Sequence, residues 1–172
     1  MPTVDYLELA RTLSQSVFAS QLAGCFLLKR PQPGVAIEPA RGGFGFATVQ
    51  GNMEVNPFAK EWQVLPIRKR PGNPFPARIS VGRATNCDIV LRVPSVSKVH
   101  AHILREGDAT FFIQDNRPSN PTFHNKVELI PGATRPLEVG DTVGFGHLEF
   151  EFVDAAKLYE VLQLALAGRT LD

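Results

Sequence analysis

Three polar stretches at the ends of hydrophobic runs hold the residues best equipped for chemistry. The first is Val81-Gly82-Arg83. The second is Ser95 to His100 within "SVSKVHAHI", and the third is Ser119 to Asn125 within "DNRPSNPTFHN". An arginine such as Arg83 presents a fork of N–H donors that matches phosphate oxygens. The Ser97 and Ser119 hydroxyls are compact donors, and Lys98 adds a positive charge. Asn120 can donate to and accept from a peptide main chain, as needed to hold a ligand extended. Together these types suit a phosphate, and one carried on a peptide.

Other chemistries are weaker. His100 and His102, two apart on one strand face, would permit a metal pair, but no carboxylate or cysteine cluster accompanies them, and His124 and His147 could join only by chance of folding. The glycines of Arg41-Gly42-Gly43-Phe44-Gly45 suggest a phosphate-cradling loop, which requires a following helix N-terminus. "FATVQGN" alternates like a strand instead. Nucleophile-elbow, P-loop and zinc-protease motifs are absent from the sequence, so no enzyme and no cofactor are expected. Taken alone, Arg83 reads as a surface residue and Ser97 as a turn residue. Their meaning depends on the elements that position them.

Those elements are mostly strands. From Trp62 onward, short β-rich runs recur between Pro and Gly signals, including "WQVLPIRK", "RISVGR", "CDIVLR", "VHAHILR", "ATFFIQD" and "HLEFEFV". This pattern predicts an antiparallel sandwich or barrel, with "EGDAT" as a hairpin turn. In a sandwich, loops gather at the two ends, where sites are usually built. Before the strands, residues 4 to 20 read as one helix capped by Thr3, with Tyr6, Leu9, Ala10, Leu13 and Val17 on one face. "CFLLKR" could be a strand, and residues 31 to 61 are rich in Pro and Gly. After the strands, Asp154 can cap a helix with Leu158, Val161, Leu162, Ala165 and Leu166 as its apolar stripe.

At this point the sequence resembles the forkhead-associated (FHA) domain family. The ordered signature stands as Gly82-Arg83, then Ser97-Lys98-Val99-His100, then Asn120-Pro121-Thr122-Phe123-His124-Asn125, then Gly140-Asp141. The resemblance covers about residues 62 to 153. It implies an all-β sandwich of two antiparallel sheets, here with N-terminal and C-terminal helical extensions, whose loops at one end bind phosphothreonine peptides. It implies that Arg83 and Ser97 bind the phosphate, that Lys98 contacts phosphate or adjacent backbone, that Ser119 contacts peptide or phosphate, and that Asn120 holds the peptide main chain. It gives His100, Gly82, Thr122 and Asn125 architectural roles. Pro121 departs from the family's Gly, which permits φ > 0 and supplies an N–H. Either the loop needs no positive φ, or the pocket is reshaped.

The expected organisation is therefore a helix and Pro/Gly-rich extension over 1–61, an FHA domain over 62–153 and a terminal helix over 154–172. The expected partner is a phosphothreonine-containing protein or peptide, with an upstream Ser/Thr kinase. The alternative is an FHA-like scaffold that binds partners without phosphate. Net charge of +1 argues against a dedicated nucleic-acid binder. The basic run Arg68-Lys69-Arg70 reads as a solvated strand end. Cys25 and Cys87 form no CxxC pair, and a reduced, cytoplasmic setting is expected. Leu22-Ala23-Gly24-Cys25 matches the box before a lipidated cysteine, but Asp5, Glu8 and the polar breaks before it do not suit a signal segment. No apolar run reaches the ~18 residues of a membrane span.

Overall fold

Period-two burial builds the sandwich. In β4 (Arg78–Gly82), Ile79 and Val81 are buried, and in β7 (Thr110–Asp115) Phe111, Ile113 and Asp115 are buried. Alternation of this kind gives each strand one face for a core and one for water. The computed structural model describes residues 5–30, 46–48, 55 and 62–168. Among them, the remaining strands are β1 (Cys25–Lys29), β2 (Phe46–Thr48), β3 (Trp62–Pro66), β5 (Ile89–Val90), β6 (Ala101–Glu106), β8 (Thr122–His124), β9 (Val127–Glu128), β10 (Thr134–Leu137), β11 (Thr142–Phe145) and β12 (Leu148–Asp154).

The strands form a seven-stranded sheet, ordered β2-β3-β1-β12-β11-β8-β9, and a five-stranded sheet, ordered β10-β7-β6-β4-β5. All pairings are antiparallel except β2 with β3 and β4 with β5. The two inner faces enclose Leu27, Leu65, Ile79, Val81, Ile103, Ile113, Phe145, Phe150 and Phe152. The expected all-β sandwich is the fold.

The outer face of the seven-stranded sheet is also buried. Phe26 and Leu28 of β1, Trp62 and Val64 of β3 and Val153 of β12 point away from the sandwich core and meet three helices. These are α1 (Tyr6–Thr12), α2 (Gln15–Gln21) and α3 (Ala155–Leu166). α3 follows β12 directly, with Asp154 capping it by accepting the Lys157 N–H at 2.8 Å. Its Leu158, Val161 and Leu162 lie under α1 and α2 with Tyr6, Ala10 and Phe18. The Tyr159 hydroxyl donates to the Leu13 carbonyl (3.0 Å) and the Gln163 amide to the Ala10 carbonyl (2.5 Å). Both terminal segments are thus fastened to the sandwich.

Several expectations need correction. The single helix over 4–20 is two helices, because Leu13 and Ser14 are extended. The break changes the buried face: Phe18 is fully buried, whereas Val17 is 40% exposed. Asp5 caps α1, accepting from the Leu7 and Glu8 N–H groups, while Thr3 lies outside the described residues. A domain beginning at residue 62 would omit β1, which is hydrogen-bonded between β3 and β12 inside the larger sheet. "CFLLK" carries no alternation because both its faces are buried.

The basic run is no solvated strand end either. Lys69 Nζ donates to Asp88 (2.8 Å), the Arg70 N–H to the same carboxylate (2.9 Å), and the Arg70 guanidinium to the Thr85 and Cys87 carbonyls. Ser80 and Asn73 also donate to Asp88. Burial alone would raise the Asp88 pKa, but the bonds from Lys69, Arg70, Ser80 and Asn73 outweigh it and hold the pKa at about 2. Only Arg68 of the run is exposed.

Candidate functional site

Strand direction brings four connections to one end of the sandwich. β4 runs into residues 83–88, and β6 is entered from residues 91–100. β7 leads through 116–121 into β8, and β11 turns into β12 at Gly146-His147. Backbone hydrogen bonds fasten the first two connections together. The Arg83 N–H donates to the Ser97 carbonyl (2.9 Å), Ala84 N–H to Lys98 (3.0 Å), Leu91 N–H to Gly82 (2.8 Å) and His100 N–H to Val81 (2.8 Å). Gly82 is required by this approach: a Cβ there would lie 2.2 Å from the Lys98 carbonyl oxygen.

Arg83 is exposed, but its orientation is fixed. Nε donates to the Val96 carbonyl at 3.0 Å, leaving the two terminal nitrogens without a partner among the described residues. Ser97 lies on the loop that holds it. The Ser97 Oγ accepts the Ser119 N–H at 3.0 Å, so its own hydrogen is free to donate outward. Lys98 is exposed beside it. Its carbonyl accepts from Ala84 N–H and from the buried Cys87 thiol at 3.3 Å. Burial pushes the Cys87 pKa up, which keeps the thiol protonated.

His100 braces the turn from inside. It is fully buried, edge-on to Phe145, and its Nδ1 accepts the Ser97 N–H at 3.1 Å. Burial holds its pKa below the ordinary histidine value, against the opposing effects of the Pro121 carbonyl and Asp115. With Nδ1 accepting, the neutral ring carries its proton on Nε2. That atom has no partner within hydrogen-bond geometry among the described residues. His102 does not share its face. His102 pairs with Ser80 across the sheet and feels Arg78, Lys69 and Asp88, whereas His100 faces Phe145 in the core. The strand register begins only at Ala101, so the spacing of two does not place both rings together.

The third connection rests on Asp115, which the sequence reading did not single out. Its Oδ1 accepts the buried Thr122 hydroxyl (2.6 Å), and its Oδ2 accepts the Arg117 N–H (2.9 Å) and the Gly132 N–H (3.0 Å). An aspartate two residues before a turn N–H is a readable turn signal. Ser95 was also missed, and no local pattern reveals it. The Asn120 side-chain amide donates to the Ser95 carbonyl (2.9 Å), and the Ser95 hydroxyl accepts the His147 N–H (3.2 Å). Asn120 therefore keeps its Oδ1 and one amide hydrogen for a ligand. Gly146 closes the floor: its N–H donates to the Pro121 carbonyl at 3.3 Å, and a Cβ there would lie 2.4 Å from the Ser95 oxygen.

Pro121 fits without a reversed backbone. No residue from 118 to 121 has positive φ; the left-handed residue of this loop is Arg117, at φ 51°. Of the nine positions singled out, Arg83, Ser97, Lys98, Ser119 and Asn120 come together, with Gly82, His100 and Thr122 directly beneath. Asn125 does not join them. It sits at the far end of β8 at φ 50°, where its amide binds Asp141 (3.1 Å) and the Thr142 N–H (2.9 Å).

This end of the sandwich offers donors on two interlocked loops and a main-chain grip on a third, which is the equipment for an anion borne on an extended chain. Residues 79–146 match the family model of the FHA domain. Within the sandwich, the stretch that carries these connections thus matches the FHA domain. The curated protein FraH of Nostoc sp. strain PCC 7120 is 36% identical over 77 residues, which cover 45% of this chain and 24% of FraH. The matched part is thus about a quarter of that relative's length. Among solved structures, Mycobacterium tuberculosis EmbR in complex with a low-affinity phosphopeptide is 31% identical, covering 45% of this chain and 20% of that one, with a TM-score of 0.42. The FHA domain of CT664 from Chlamydia trachomatis is 20% identical, covering 76% of this chain and 98% of that one, with a TM-score of 0.47. Among the described residues, no helix is long and apolar enough to cross a membrane.

Proposed function

We propose that this chain is a cytoplasmic, non-catalytic module that docks onto phosphothreonine in a partner protein and thereby couples a Ser/Thr kinase to that partner. One observation carries the reading. Arg83 is held through Nε with its outer nitrogens free, while Ser97 accepts from Ser119 and keeps its hydroxyl hydrogen to donate. A phosphate has three strong acceptors and a charge of about −1.5 to −2 at neutral pH, and it satisfies both groups at once. Lys98 adds charge at the rim. Ser119 and Asn120 hold the peptide on the opposite loop. The roles of His100, Gly82 and Thr122 are to keep these loops in register.

The test is a screen of the whole chain against paired libraries of phosphorylated and unphosphorylated threonine peptides. Binding confined to the phosphorylated set supports the reading. Equal capture of both sets would favour a scaffold that binds partners without phosphate.

A further inference from the structure

The helices cover the outer face of the seven-stranded sheet, and no described helix packs on the outer face of the five-stranded one. Strand register sets what that open face shows. Arg78, Leu104, Phe112 and Pro136 form one row of cross-strand partners, and Ser80, His102, Gln114 and Thr134 form the next. Ile79, Ile103, Ile113 and Leu137 alternate with them and face the core. Glu106, two residues after Leu104 on β6, shares the open face. Leu104 and Phe112 are partly exposed, whereas Arg78, Glu106 and Pro136 are exposed. Pro136 blunts β10 as an edge, so this sheet is open by its face and not by that strand.

Several groups on this face or at its rim lack a partner. Phe75, between Pro74 and Pro76, is 66% exposed at φ 60°, where a bulky residue is an outlier. Its carbonyl accepts the Arg78 N–H at 2.9 Å, which holds it at the β4 rim. Asn73 ties the same loop to Asn86 and Asp88. The Arg78 guanidinium and the Glu106 carboxylate meet no partner among the described residues. His102 is 9% exposed and has no hydrogen bond among them either. Burial first, then Arg78 and Lys69, hold its pKa below the ordinary histidine value against Asp88. A neutral ring can both donate and accept.

We infer that this face is a docking surface for a second copy of the chain, paired about a two-fold axis. The face carries both members of two complementary pairs, Phe75 with the apolar Leu104 and Phe112, and Arg78 with Glu106. Such a surface is self-complementary, as a two-fold interface requires. Each Phe75 covers Leu104 and Phe112 of the other copy, and each Arg78 meets the other copy's Glu106. Arg78 begins β4 and Glu106 ends β6, away from the loops that bear Arg83 and Ser97, so the phosphate-binding end stays clear. The pairing does not depend on the phosphothreonine reading.

Sedimentation equilibrium of the whole chain over a concentration series tests it. Wild type should pass from monomer to dimer as concentration rises, with no larger species. Phe75→Asn removes the ring but keeps a residue that tolerates positive φ. It should weaken the dimer by about ten-fold or more. Arg78→Glu and Glu106→Arg should each weaken it about ten-fold, because every reversal acts twice across the axis. The double variant Arg78→Glu/Glu106→Arg should regain wild-type association to within about three-fold. Thermal melts establish that each variant is folded. Should Arg78→Glu fail to fold, Phe75→Asn and Glu106→Arg decide the matter. A wild type that stays monomeric throughout overturns the inference. So does a dimer undiminished in Phe75→Asn and the single reversals, a species that grows beyond the dimer, or a double variant no better than either single one.

Discussion

Gly82 has no space for a side chain. The Lys98 carbonyl and the Val99 Cα both press on the place where a Cβ would stand, so the loop bearing Ser97 and Lys98 would have to move to admit one. Gly82→Ala should lower stability by about 3 kcal/mol, at the upper end of overpacking costs, and weaken phosphopeptide binding in the fraction that folds. Urea unfolding with a parallel titration checks both effects; a variant with unchanged stability would show that the two loops are not in contact. The same loop shows what single residues disclose from sequence. Arg83, Ser97 and Asn120 were legible because their chemistry and order are distinctive. Ser95 was not, because its meaning lies in bonds to Asn120 and His147, far along the chain, and of Asp115 only the local turn to Arg117 was readable, not the bonds to Thr122 and Gly132. The placement of His100 and His102 on one strand face failed for a related reason: period two holds inside a strand, and His100 precedes one.

At the level of elements, alternation revealed the strands that have one wet face, such as β4 and β7. It could not place β1, because a strand covered by the sandwich on one side and helices on the other has no polar face to show. Its partners β3 and β12 lie far away in sequence, so nothing local marked it as the centre of a sheet. The helical segment before it was recognised but not its break at Leu13-Ser14, whose Leu13 carbonyl accepts from Tyr159 of α3, far along the chain. α3 supplies the element-scale prediction. Leu158 is fully buried between the sheet and the N-terminal helices. Leu158→Ala should cost about 2–5 kcal/mol, yet leave phosphopeptide affinity within about two-fold of wild type, because the loops are tied to one another and not to the helices. Thermal melts and titration of the same sample decide it. A large loss of affinity in the folded variant would reveal coupling between the helical layer and the loops.

For the whole molecule, a net charge of +1 conceals segregation. Arg83, Arg92, Lys98 and Arg117 lie on connections (83–87, 91–100 and 116–121) that hold no Asp or Glu, with Asp115 and Glu128 at the borders, whereas the opposite end mixes Glu106, Asp108, Glu138 and Asp141 with Arg105 and Lys126. Composition averages this away, and only the folded order of strands exposes it. The same folding turns three weak sequence signals into one surface, with Arg83 as an exposed donor on it. The most direct test is a calorimetric titration of wild type and Arg83→Ala with a single phosphothreonine peptide and its dephosphorylated twin. Charge-assisted bonds are worth about 1.5–3 kcal/mol each, so losing even one should weaken binding of the phosphorylated peptide by roughly ten-fold or more. The variant should lose only about 1 kcal/mol of fold stability, from the Nε bond to Val96. The dephosphorylated twin should bind neither protein measurably. Equal affinity of wild type and Arg83→Ala for the phosphorylated peptide would contradict the assignment of this end of the sandwich as a phosphate site.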